Sequence, residues 1–192
     1  NYLDLGLGTL SALLNGASKI SVHCWMYADS YTNISTANGL FEVQVGADYT
    51  GLVMHIRANA ANKVLYFDAI PATTETGAAL FGTTNITTGA WHSLGASVDF
   101  AAQLITLYVD GVADTPGVGP GVFVSPVWVD NDDQNLEDLI GSRRNSVGGG
   151  VITTTTQFDG RIADLAIWNT DILAQGFRNL SYGIRADSAT VI

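Results

Sequence analysis

The 192-residue sequence predicts an all-β protein, an antiparallel two-sheet sandwich with one short helix near 171–182. Three observations carry that prediction. Apolar side chains recur at every second position in run after run, the period of a half-buried strand. Gly, Asn and Asp punctuate the gaps at roughly the 8–12-residue spacing of sandwiches and barrels. Residues that dress helix surfaces are scarce: Glu occurs only as Glu42, Glu75 and Glu137 and Lys only as Lys19 and Lys63, against 21 Gly and abundant Thr.

The elements follow in order. Residues Tyr2 to Gly6 suit an opening strand. Thr9 to Leu14 reads as a short helix, with Asn15-Gly16 as its C-cap. Ile20, Val22, Cys24 and Met26 then alternate with Ser21, His23, Trp25 and Tyr27. Phe41, Val43 and Val45 alternate with Glu42 and Gln44, and Leu52, Met54 and Ile56 with Val53, His55 and Arg57. Lys63 to Ala69 is a further run. Trp91 to Asp99 and Leu104 to Val109 are joined by Phe100-Ala101-Ala102-Gln103, a hairpin-length loop, and Asp110-Gly111 supplies the next turn. Phe123 to Val129, Leu139 to Ile140 and Phe158 to Trp168 complete the strand set. Leu104 to Val109 and Ile162 to Trp168 are apolar on both faces, as central strands covered on both sides would be. Asp171 to Tyr182 carries Ile172, Leu173, Phe177 and Leu180 near helical spacing before Gly183.

At ~100–200 residues per domain the length fits one domain. We read 1–183 as the sandwich and 184–192 as a C-terminal tail or a last strand. The chain is 47% hydrophobic and 14% charged, with net charge −10. Such an acidic surface repels phosphate backbones, which excludes nucleic acid as the main partner. No window reaches the ~18 apolar residues of a membrane helix. One cysteine, Cys24, excludes an internal disulfide framework and a Cys-based zinc site; inside an alternating run it reads as a small buried hydrophobe. The sequence shows neither an initiator Met nor a leader, as expected for a processed product or a piece of a longer protein.

Three segments together resemble the laminin G-like and pentraxin-like branch of the concanavalin A-like jelly rolls. The first is Trp91-His92-Ser93 followed by Leu104 to Gly111, similar to paired strands ending in a "(W/Y)-V-D-G" turn. The second is Ile140-Gly141 with Ser146-Val147-Gly148-Gly149, similar to the pentraxin "L-G…S-F-G-G" stretch. The third is Phe158 to Asn169, similar to the closing strand "F-x-G-x-I-x-x-(V/L)-x-(I/M)-W", with a helix after it. The resemblance spans nearly the whole chain. It implies a jelly-roll sandwich of about six or seven strands per sheet. It also implies calcium-dependent ligand binding in the loop after the "L-G" pair. Here that loop reads Ser142-Arg143-Arg144-Asn145: the two arginines cannot ligate calcium, and only Asn145 keeps an oxygen side chain suited to it. Cys24 fits the first half-cystine of the pentraxin disulfide, while its expected partner region reads Leu94-Gly95-Ala96.

The densest oxygen cluster is Asp130 to Asp138. Asp130, Asp132 and Asp133 are the candidate metal ligands, and calcium is the cofactor they would suit. The run lacks the turn glycine and closing Glu of an EF-hand, so a solvated acidic loop is the competing reading. Arg143 and Arg144 form the only adjacent basic pair, a surface ion-pair partner or a bidentate contact to an acidic sugar. An exposed aromatic platform is expected beside them, with Trp25, Tyr27, Tyr31, Tyr49 and Trp128 as candidates and Trp91 and Trp168 assigned to the core. His23, His55 and His92 are isolated, as sheet-surface or hydrogen-bonded residues rather than ligands. No Glu-x-Asp-x-Glu strand of the β-glucanase type, no hydrolase triad and no phosphate loop is present in the sequence.

The sequence therefore predicts no enzyme but a lectin-like module for binding or display at an exterior surface, its partner a glycan or a surface protein. The ligand-binding residues would be Arg143, Arg144, Asn145 and Trp128. The alternative is a structural decoration, spike or fibre domain of a virus particle, with other virion or envelope subunits as partners. A carbohydrate-active enzyme ranks third. The expected location is extracellular or the virion surface, and a homo-oligomer is compatible with either reading.

Overall fold

The computed structural model describes residues 3–7, 9–31, 38–45, 50–59, 61–70, 78–114, 123, 125–129, 137–142, 157–184 and 190–191. Its elements run β1 (Leu3–Leu7), α1 (Thr9–Leu14), β2 (Lys19–Ala28), β3 (Asn38–Val45), β4 (Thr50–Asn59), β5 (Asn62–Ile70), β6 (Ala78–Phe81), β7 (Trp91–Asp99), β8 (Leu104–Val109), β9 (Val112–Ala113), β10 (Glu137–Ile140), β11 (Gly160–Trp168), α2 (Leu173–Ser181) and β12 (Thr190–Val191). Sheet I has the order β1-β10-β3-β4-β5-β6 and sheet II the order β12-β11-β2-β7-β8-β9. Every pairing is antiparallel.

The period-2 pattern becomes the interior. Ile20, Val22, Cys24, Met26 and Ala28 of β2 and Leu52, Met54 and Ile56 of β4 turn inward and are buried. Leu65, Phe67 and Ala69 of β5 and Leu94, Ala96 and Val98 of β7 join them in one apolar cluster. Burial of this kind, at ~25 cal/mol per Å² of apolar surface, is the main stabilising term of the sandwich.

Sheet II is covered on its outer face by α2. The Phe177 ring stacks on Tyr108 with centroids 4.0 Å apart. It also lies over Gly95, where a Cβ would stand 2.4 Å from the ring. This contact explains why β8 reads as apolar on both faces. In β11 the cause is different: the register against β2 shifts between Ala163 and Ala166, and Asp164 takes a positive φ of 49°. The bulge puts Leu165 and Ala166 in consecutive buried positions.

Two carboxylates tie the layers together. Buried Asp138 of β10 accepts the Leu10 N–H of α1 at 2.8 Å. Asp114, just beyond β9, accepts the N–H and Oγ1–H of both Thr83 and Thr84 at 2.7–3.2 Å. The Asp114 N–H in turn donates to Leu107 O at 2.8 Å. This cluster joins the β6 edge of sheet I to the β9 edge of sheet II.

Some expectations need correction. Phe123 to Val129 forms no strand among the described residues. Trp128 instead bonds the turn after α1, its N–H donating to Ala17 O and its C=O accepting the Gly16 N–H. The short strands β6 and β9 had not been expected. Of the two readings of the C-terminal residues, 190–191 form a strand, which pairs with β11.

Candidate functional site

The outer face of sheet I gathers chemistry that is far apart in sequence. On β4 the residues that alternate with the core are Val53, His55 and Arg57. The register sets His55 beside Tyr66 and Tyr66 beside Phe81, one row across β4, β5 and β6. A second row runs Glu42, Val53, Asp68 and Ala79. His55 stacks on Tyr66 with centroids 4.4 Å apart and rings 17° from parallel. Tyr66 meets Phe81 edge-on at 4.5 Å. The Arg57 guanidinium carbon lies 5.5 Å from the Tyr66 centroid and 5.4 Å from that of Phe81, within cation–π range.

Exposure rises along the row. His55 is 1% exposed, Tyr66 9% and Phe81 36%, and Arg57 is exposed. The row is thus anchored at one end and open at the other, where a guanidinium fork stands beside an aromatic ring. The anchor extends beyond the sheet. Phe81 is followed by Gly82, whose N–H donates to Leu65 O, and then by the two threonines held on Asp114. Such a surface can pair a carboxylate or sugar oxygen with the guanidinium while an apolar ligand face rests on the ring.

The residues expected from sequence fall differently. Trp128 is 0% exposed and packs in the core, so its indole offers no surface to a sugar. Arg143, Arg144, Asn145, Asp130, Asp132, Asp133 and Tyr49 lie outside the described residues. Among the described residues no three His, Cys, Asp or Glu side chains cluster as a metal site would need. Tyr31 packs against the core, and burial pushes its hydroxyl pKa up to about 12. Trp25 and Tyr27 are half-buried on the outer face of sheet II. Trp168 is core, as expected, but Trp91 is 44% exposed and leans on Tyr27. Its place in the alternation was the available signal, since it shares parity with Ser93, Gly95 and Ser97 rather than with Leu94 and Ala96. Arg57, Tyr66 and Phe81 were missed because only strand register brings them together.

The histidines divide as hydrogen-bonded residues do. His23 Nε2 lies 2.9 Å from Ser93 Oγ, and His92 Nδ1 lies 3.0 Å from Asp110 Oδ2. Cys24 is buried, and desolvation pushes its thiol pKa up to about 12. It stands directly across from Leu94, so the site of a pentraxin-type disulfide holds a thiol facing a leucine.

Two six-stranded antiparallel sheets closed face to face around one interior define a jelly-roll β-sandwich with ligand-type chemistry on an outer face. The chain belongs to the concanavalin A-like lectin/glucanases superfamily, whose laminin G-type family model matches residues 5–175. A search of curated protein sequences finds no match. Among solved structures, the chain is similar to domain 4 of the extracellular arabinanase AbnA from Geobacillus stearothermophilus, in complex with arabinotriose. That match has 18% identity, covers 94% of this chain and 72% of that one, and has a TM-score of 0.58. It is also similar to the native heptameric SAP-like pentraxin of Limulus polyphemus, at 12% identity, 100% and 84% coverage and TM-score 0.60. The carbohydrate-binding module CBM40 of the Ruminococcus gnavus IT-sialidase, bound to α2,3-sialyllactose, matches at 11% identity, 94% and 96% coverage and TM-score 0.61. At these identities the likeness is one of fold.

Proposed function

We propose that this domain is a non-catalytic, lectin-like module that works outside the cell and recognises a glycan or a surface protein through the outer face of sheet I. One observation carries the reading: the Arg57 guanidinium, held over the Tyr66 and Phe81 rings, is exposed at the open end of the row. The fold relatives support it, because the arabinanase domain was solved with arabinotriose and the sialidase module with sialyllactose. Binding is favoured over hydrolysis by the acids on that face. Glu42 and Asp68 share a row with Val53 between them, but Glu42 is only 3% exposed and presents no carboxylate to a substrate.

A glycan array probed with and without EDTA tests the proposal. Binding is expected to survive chelation, because a guanidinium and two rings need no calcium. Arg57→Ala and Phe81→Ala should each weaken the array-positive glycan about tenfold, or ~1.4 kcal/mol, with an unchanged melting temperature. Blank arrays for every sugar class, or binding indifferent to both substitutions, would overturn the assignment.

A further inference from the structure

We propose a second ligand site on the opposite face of the sandwich, a platform on sheet II that takes a neutral pyranose ring. The strand register sets Arg161 of β11, Tyr27 of β2 and Trp91 of β7 side by side on the outer face. Tyr27 and Trp91 have ring centroids 5.7 Å apart at 59°, and the Arg161 guanidinium carbon lies 4.9 Å from the Tyr27 centroid. Trp25 continues the same face one row along, with the small residues Ala163 and Ser93 on either side of it.

The platform is open and held from behind. α2 covers the sheet farther along, at Gly95 and Tyr108, and leaves this end uncovered enough for Trp91 to be nearly half exposed. An indole so exposed on a strand otherwise buries less apolar surface than its size allows. The start of β7 is fixed by Asp110, whose Oδ1 accepts the Ser93 N–H at 2.9 Å and whose Oδ2 faces His92 Nδ1. The start of β11 is fixed by Gly160, since a Cβ there would stand 2.0 Å from Tyr27 O. Only glycine lets the two strands approach closely enough to seat Arg161 over the Tyr27 ring.

Local charge selects the ligand. Among the described residues, Arg161 is the guanidinium of the platform. The exposed Asp29 carboxylate lies 3.8 Å from its Nη2, and Asp159, which accepts the Ser30 hydroxyl, is exposed nearby. Two carboxylates against one guanidinium disfavour an anionic sugar. The guanidinium already over Tyr27 disfavours a cation on that ring. A neutral sugar satisfies both signs: one hydroxyl donates to Asp29, a neighbouring oxygen accepts from Arg161, and the C–H face of the ring rests on Trp91. At 3.8 Å the fork and the carboxylate are not closed into a hydrogen-bonded ion pair, so both keep hydrogen-bonding capacity for a ligand.

The test is titration of the intact domain with xylohexaose, cellohexaose and maltohexaose, with oligogalacturonate as the charged comparison, read by tryptophan fluorescence and saturation-transfer NMR. One of the neutral oligosaccharides is expected to bind below about 10 mM. Trp91→Ala should weaken it about tenfold or more, Trp91→Phe less, and Asp29→Asn several-fold, each with unchanged circular dichroism. Phe81→Ala should leave this binding intact, which separates this site from the one on sheet I. The proposal fails if no neutral oligosaccharide binds at that concentration. It fails equally if Trp91→Ala is without effect, or if oligogalacturonate binds more tightly than every neutral sugar.

Discussion

Asp114 shows how one side chain closes an edge of the fold. Its carboxylate is 5% exposed and accepts donors from Thr83 and Thr84, four N–H and O–H groups in all. Removing it strands those donors in a partly buried place, and an orphaned donor costs more than the lost bond itself. Asp114→Ala should lower stability by about 2–4 kcal/mol in urea titrations, and Asp114→Asn by less because it keeps one acceptor. A change below about 0.5 kcal/mol for the alanine variant would show that the threonines find water instead. His23 makes a different prediction at the same scale. Desolvation, opposed in part by the nearby Asp164 backbone and charge, lowers its pKa to about 4. The folded state therefore binds its proton later than the unfolded chain, whose value is 6.5. Stability from this residue is complete above pH 6.5 and falls as the pH drops towards 4, by about 3 kcal/mol in all. Urea titrations of wild type and His23→Gln from pH 7 to 4 isolate the effect from the carboxylates, which titrate in both. Parallel pH dependences would remove His23 from the account.

The helix α2 is held to sheet II mainly through one buried side chain, Phe177. Its nine residues are too few to be stable in water alone, and Phe177 is its buried side chain. The ring sits where any Cβ on Gly95 would go, 2.4 Å from it. Gly95→Ala should therefore push the helix off the sheet and cost about 1–3 kcal/mol. The loss should appear first as faster amide exchange in 173–181, with β2 and β7 still protected. Uniform exchange in all three would mean that α2 and sheet II open together. The elements also show what a sequence makes readable. β2, β4 and β7 are legible because each alternates for six residues or more, and β5 and β8 because each is a long run of apolar β-formers. β6 and β9, four and two residues long, carry too few positions to show a period. Phe123 to Val129 reads as a strand because it is rich in apolar β-formers, yet Phe123 and Trp128 are buried by a loop that packs into the core. The candidate sites were less legible. Arg57, Tyr66 and Phe81 come from three strands, and Arg161, Tyr27 and Trp91 from three others. A sequence without register cannot show that Arg57 lies diagonal to the Tyr66–Phe81 pair, or that Arg161, Tyr27 and Trp91 share a row.

At the scale of the whole molecule the two sheets act as covers for each other. Cys24 lies on the interior face of β2, near the middle of sheet II, and is 0% exposed. No local fraying of a strand end reaches it, because β11 and β7 flank β2 along its length. On one side of the sandwich the edge strands β6 and β9 are joined through Asp114. Its thiol pKa, pushed up to about 12 by burial, leaves almost no thiolate in the folded state at pH 8. Labelling with a disulfide reagent should then require the sandwich to come apart. The free energy of opening obtained from labelling rates in urea should equal the global unfolding free energy by circular dichroism, with the same denaturant slope. Asp114→Ala should lower both by the same amount, because freeing the joined edges destabilises the one cooperative unit. A labelling free energy well below the global value would mean that the sheets separate without unfolding. The domain would then behave as two leaves about an interface, and Asp114→Ala should speed labelling more than it lowers global stability.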